Sequence, residues 1–119
     1  MKNLITIITA LLFAVTINAQ EKSNSKITET TFEVKGVCGM CKDRIENAAM
    51  RTPGVKLANW DKDSKELKIV YKNTKTTEKE IHEAIAKHGH TTSLIPADST
   101  AYKKLPNCCM YDDGAKCAH

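Results

Sequence analysis

At 119 residues the chain is long enough for one domain with tails and too short for two. Its net charge of +4 is small, and acidic and basic residues alternate from Glu21 to Lys87, so an ordinary solvated surface is expected and a nucleic-acid footprint is excluded. Aromatic residues make up only 5% of the chain, which limits the domain to a small, mostly aliphatic core.

Met1-Lys2-Asn3 is a short basic start, Leu4 to Ile17 is apolar apart from threonines, and Ala19 precedes Gln20 at a plausible cleavage point. This is the layout of a secretory signal peptide over residues 1–19. The alternative is a retained anchor, but an apolar run of about 14 residues falls short of the ~20 that a spanning helix needs. The mature protein is therefore expected to be periplasmic or secreted, with no stable membrane insertion after cleavage. Export bears on the five cysteines, Cys38, Cys41, Cys108, Cys109 and Cys117. An odd number cannot close entirely into internal disulfides, so at least one thiol stays reduced, pairs between chains or binds metal. Outside the cytosol any metal site has to compete with oxidation.

Residues 20–27 are polar and aperiodic, a flexible leader. Thr30, Phe32 and Val34 then alternate with Thr31, Glu33 and Lys35, the period of a half-buried strand. A glycine-bearing loop, Gly36 to Met40, interrupts it. From Cys41 the period changes: Ile45, Ala48 and Ala49 form the apolar stripe of a helix with Asp43 near its start, and Pro53-Gly54 ends it. Val55 to Trp60 reads as a second strand with a parity change between Leu57 and Ala58, which signals a bulge or an ambiguous register. After a turn at Asp61 to Lys65, Leu67, Ile69 and Tyr71 alternate as a third strand, hairpinned to the second. Thr77-Glu78-Lys79-Glu80 is a capping box opening a second helix, with Ile81, Ala84, Ile85 and His88 on its buried side and Gly89 at its C′ position. Thr91 to Ile95 is expected to add a short fourth strand.

The fold class expected is α+β, a ferredoxin-like βαββαβ sandwich over residues 28–95 with two helices on a four-stranded antiparallel sheet. Its core would be Phe32, Val34, Ile45, Leu67, Ile69, Ile81 and Ile85, with Trp60 at a sheet edge. Residues 96–119 form a cysteine-containing tail, too short for a second domain, that can pack on the first or fold back towards its loop.

Cys38 and Cys41 straddle the junction of the first loop and first helix. Two intervening residues let both sulfurs face one point, Gly39 lets the chain turn tightly, and the unpaired N–H groups of the helix start favour negative charge there. Two thiolates without a carboxylate cluster suit a soft ion: Cu(I) first, with Hg(II) or Zn(II) as alternatives. A closed structural zinc site takes about four ligands, and only two are local. A simple Cys38–Cys41 disulfide is the plain alternative. A thiol–disulfide oxidoreductase is the sharper one, although the aromatic before the motif and the proline inside it that mark thioredoxin-like sites are missing.

Phe32-Glu33-Val34-Lys35-Gly36-Val37-Cys38-Gly39-Met40-Cys41, followed by Ile45-Glu46-Asn47-Ala48 and Pro53-Gly54-Val55, resembles the heavy-metal-associated domain over about residues 28–95. That family includes copper chaperones, the amino-terminal domains of copper-transporting ATPases and periplasmic mercury-binding proteins. The resemblance implies the βαββαβ fold and metal held by Cys38 and Cys41. Two departures stand out. The family usually has Gly-Met-Thr before the first cysteine, whereas only Val37 separates Gly36 from Cys38, so that Val37 or Met40 must take the buttressing role. Its Gly-Tyr or Gly-Phe appears as Gly89-His90, which makes His90 a candidate third ligand or proton-dependent gate, or else a surface histidine in place of an aromatic.

Cys108, Cys109 and Cys117, with His119, form a second group of soft ligands. Adjacent cysteines rarely bond each other, so Cys108 or Cys109 with Cys117 is one reading, a staple around Asp112-Asp113-Gly114. The other is a second site, or extra ligands for metal at Cys38 and Cys41. His82 and His88 are expected at the surface or boundary, Met40 in loop packing, and Lys42 and Arg44 beside the site as a steering patch for an acidic partner. The function expected is non-catalytic: an exported protein that carries or sequesters Cu(I), handing it to a metal-transporting ATPase or another metal-acceptor protein. A mercury scavenger and a thiol–disulfide oxidoreductase are the alternatives.

Overall fold

The computed structural model describes residues 26–114; the signal-like segment, most of the leader, Cys117 and His119 lie outside them. The elements follow one another as β1 (Ile27–Glu33), α1 (Gly39–Met50), β2 (Val55–Trp60), β3 (Glu66–Lys72), α2 (Glu78–Lys87) and a short α3 (Ser99–Lys103), then two 3₁₀ turns at Asn107–Cys109 and Tyr111–Asp113. The protein is thus α+β, with a three-stranded antiparallel sheet in the order β1-β3-β2. Its register sets Phe32 opposite Leu67 and Leu67 opposite Trp60, so the three make one inward row across the sheet. The bulge of β2 falls between Val55 and Leu57, one step before the parity change in the sequence, and turns Leu57 outward to 44% exposure. Among the described residues no helix is long and apolar enough to cross a membrane.

The fourth strand expected at Thr91 to Ile95 is reduced to an isolated bridge between Val34 and Thr92. The reason is local. The Thr92 hydroxyl accepts from the backbone N–H groups of Leu94 and Ile95 at 3.2 and 3.0 Å, folding the chain into a side-chain-capped turn just where a strand would continue. That hydroxyl also meets His82 Nδ1 at 2.6 Å. His82 is therefore not a surface residue. It is buried, stacked on Phe32 at 3.7 Å, and its burial is tolerable because the threonine satisfies it.

Helix α2 begins and ends as its sequence indicates. The Thr77 side chain accepts from Glu80 N at 3.2 Å, while the Glu80 carboxylate turns to Thr76 Oγ1 at 2.7 Å, so only half of the reciprocal box forms. At the other end Gly89 N reaches Ala86 O and His90 N reaches Ile85 O, with Gly89 at φ +96°, the paired bonds of a Schellman cap. The buried side of α2 is Ile81, His82, Ile85 and Ala86; Ala84 and His88 are only half-buried.

The seven expected core residues are all buried, and Trp60, Leu105 and Cys109 join them. Trp60 lies on an edge strand, yet its indole is wholly buried and donates from Nε1 to Val34 O at 3.0 Å. The ring packs against Gly36, where a β-carbon would lie 2.9 Å from Trp60 Cζ2 and 3.1 Å from Cys41 Cβ. Gly36 is thus the glycine this loop requires. Gly39, at the first position of α1, has open space around it and no positive φ.

His90, far from being a surface residue, is fully buried, with its ring stacked on Tyr111. Nδ1 donates to Lys35 O at 2.7 Å, leaving Nε2 an unprotonated acceptor with no hydrogen-bond partner among the described residues. Burial lowers its pKa from 6.5 to about 4, with the Arg44 charge adding to the shift and the Lys35 bond opposing it.

Two outcomes follow. Gly36→Ala should destabilise the protein by about 1–3 kcal/mol in chemical denaturation, because the new methyl meets the Trp60 ring. In the metal-free, reduced protein the unfolded chain binds a proton at His90 below about pH 6.5 that the folded one refuses until about pH 4. Stability should therefore fall as pH drops through that window, by up to roughly 3 kcal/mol, and His90→Phe should flatten most of the fall in denaturation curves taken at a series of pH values.

Candidate metal centre

Cys38 is the N-cap residue of α1, its side chain making no capping bond, and Cys41 is the third helical residue, so both belong to the first turn. They are 2% and 0% exposed, and their Sγ atoms are 3.8 Å apart, a contact between thiols far longer than a disulfide bond. Val37, half-buried against the core, takes the buttressing position; Met40 is 43% exposed. The loop is held from beneath by Lys42. Its ammonium donates to Glu46 Oε2 at 2.6 Å, Asn59 Oδ1 at 2.9 Å and Trp60 O at 2.8 Å, and the same Glu46 oxygen accepts from Trp60 N. Lys42, expected to steer a partner, is instead committed to tying α1 to the end of β2.

The C-terminal segment folds back over this loop. Asp98 caps α3 by accepting from Ala101 N, Leu105 is buried against Gly89, and Pro106 leads into the turn that carries Cys108 and Cys109. Cys109 is wholly buried, with Sγ 3.8 Å from Cys38 Sγ and 4.0 Å from Cys108 Sγ. The sulfurs of Cys38, Cys108 and Cys109 all lie within 4.8 Å of one another, and Cys41 adjoins them through Cys38. Burial, reinforced by the neighbouring Cys41 and Cys38, pushes the Cys109 thiol well above its usual range. Against this, Arg44 Nη1 stands 3.5 Å from Cys109 Sγ. At the rim Cys108 Sγ contacts Met40 Sδ at 3.4 Å.

Of the cysteines named from the sequence, Cys38 from the loop and Cys108 and Cys109 from the tail form the compact trio, and Cys41 stands outside it with its sulfur 3.8 Å from that of Cys38. His90 lies outside the compact thiol trio, and Cys117 lies outside the described residues. The sequence reading did not single out Tyr111, whose hydroxyl donates to Gly89 O at 2.8 Å and accepts from Thr91 N at 2.9 Å, pinning the tail in place. Its only sequence signal is an aromatic residue beside a cysteine pair in an otherwise aperiodic segment. Among the described residues the cluster offers soft sulfur donors and no carboxylate, with Cys38 and Cys109 buried and Cys108 half-buried at its rim.

The sequence profile of the heavy-metal-associated domain matches residues 31–91. Solved structures share the fold. The CopZ metallochaperone is 24% identical with a TM-score of 0.53, the match covering 55% of this chain and 98% of that one. Oxidized MerP from Ralstonia metallidurans CH34 is 20% identical with a TM-score of 0.54, covering 56% and 94%. The water-soluble region of the P-type ATPase CopA from Bacillus subtilis is 31% identical with a TM-score of 0.53, covering 56% of this chain and 45% of that one. No curated protein sequence matches the chain. With the matched segment spanning half its length and carrying Cys38 and Cys41 at the start of the first helix, the chain belongs to the heavy-metal-associated domain family.

Proposed function

We propose that this chain is an exported soft-metal binder that carries or sequesters Cu(I) through Cys38 and Cys41. The observation that carries the reading is the pair of buried sulfurs in the first turn of α1, 3.8 Å apart. Thiolate ligands favour Cu(I) over the harder divalent ions, and Hg(II) and Zn(II) remain the competitors at such a site. Membership of the heavy-metal-associated domain family and the likeness to the water-soluble region of a P-type ATPase support metal handling, with an ATPase or similar metal-acceptor protein as recipient. Export rests on the amino-terminal segment, with its basic start and apolar run before Ala19.

The same sulfurs are close enough for a thiol–disulfide oxidoreductase, and MerP gives a mercury scavenger as a further alternative. Chemistry separates the three. In this reading the protein leaves the reduction of insulin by dithiothreitol at its background rate, and in competition at fixed thiol concentration it retains Cu(I) where a mercury scavenger would surrender it.

The direct test is anaerobic Cu(I) titration against a chromophoric chelator. The wild-type protein should withdraw the ion, and Cys38→Ser combined with Cys41→Ser should abolish that withdrawal. Undiminished binding by this double variant would contradict the assignment. Because loading displaces thiol protons, the apparent affinity should also rise with pH in the same titration.

A further inference from the structure

The strap formed by residues 98–113 is more than a cover. It is built into the fold independently of the sulfurs. Asp98 N donates to Ala86 O, Leu105 is buried in the core, and Tyr111 stacks on His90 while bonding to Gly89 and Thr91. Tyr102 and Tyr111 meet edge to face at 5.1 Å, and the Tyr102 hydroxyl bridges to Asp113 Oδ2 and Asp112 N. These contacts fix Cys108 and Cys109 against a loop 70 residues earlier in the chain, and they do so without needing an ion.

The sulfur spacing also argues for more than two donors. At a metal–sulfur distance of about 2.3 Å, two sulfurs 3.8 Å apart subtend about 110° at a shared ion. A linear two-coordinate bridge would set them about 4.6 Å apart instead. An angle near 110° belongs to an ion with three or four ligands, and beside Cys38 stand Cys109 and Cys108, the three sulfurs all within 4.8 Å of one another. Each added thiolate brings negative charge into a buried place. The Arg44 guanidinium at 3.5 Å from Cys109 supplies a compensating positive charge from the adjacent helix α1.

We propose that Cys109, with Cys108 beside it, ligates the ion held at Cys38 and Cys41, so that the folded-back strap converts an open dithiolate into a closed site of three or four sulfurs. This rests on the soft-metal reading above and decides between its two branches. With a third or fourth sulfur bound, an acceptor's thiolate finds fewer open positions to attack, and the site retains its ion in preference to passing it on. Met40 and Cys108 stand at the rim, where an arriving ion would first meet sulfur.

The test is X-ray absorption spectroscopy of the reduced full chain carrying one equivalent of Cu(I), together with the rate at which a chelator removes that ion. The expected result is three or more sulfur neighbours in the wild type and two in Cys108→Ser combined with Cys109→Ser. The variant should hold Cu(I) roughly tenfold or more weakly and lose it faster. Two sulfur neighbours in the wild type would overturn the proposal while leaving the soft-metal reading intact; no Cu(I) uptake by the wild type would overturn both. Should the variant fail to fold, the wild-type coordination number decides by itself, backed by protection of Cys109 from alkylation in the loaded protein and its labelling after chelation. Equal labelling in both states would contradict the proposal.

Discussion

The structure turns on one constraint: sulfur atoms from opposite ends of the domain must share a dry space at the start of helix α1. Neutral thiols accept burial readily, behaving as small apolar groups, so the metal-free fold tolerates them in its core. Thiolates do not. Burial drives the Cys109 thiol upward, so this cysteine favours its protonated form in the metal-free fold. In the proposed reading, the ion held there is one able to compete with protons for sulfur, and a soft ion does so best.

What holds the loop in position is a knot of polar bonds around one aromatic ring. Trp60 fills the space beneath Gly36 and Cys41 and reaches Val34 O with its indole N–H, while Lys42 and Glu46 bind its backbone from α1. A tryptophan on an edge strand thus ties the sheet to the loop that carries Cys38 and Cys41. The tail uses tyrosines in the same way. Tyr111 bonds to the loop after α2, and Tyr102 bonds to the second 3₁₀ turn, so the cysteine pair between them is positioned by aromatic anchors on either side.

Much of this was legible in the sequence because it is local. The two periods, the Pro53-Gly54 break and the Gly89 stop each depend on a few neighbouring residues, and β2 runs from Val55 to Trp60 as read. The misread features are those in which a side chain answers to something distant or takes over a backbone role. Thr92 folds the expected fourth strand into a turn through its hydroxyl. His82 is drawn inward by Phe32 and that same threonine. Lys42 looks like a surface cation until Glu46, Asn59 and Trp60 O surround it. Cys38 and Cys109 lie 71 positions apart with no periodicity between them to announce their meeting. The cysteine types marked the tail as a source of ligands, but spacing alone left a disulfide staple and a metal site equally open.

The central claim is that this dry cluster exists to hold a thiophilic ion. The most direct measurement is the metal content and reduced-thiol count of protein isolated anaerobically from its own compartment. The account predicts a bound soft ion, with Cys38 and Cys41 reduced and shielded from alkylation until a chelator strips it. Protein that carries a Cys38–Cys41 disulfide, and that takes up neither copper, mercury nor zinc once reduced, would contradict it.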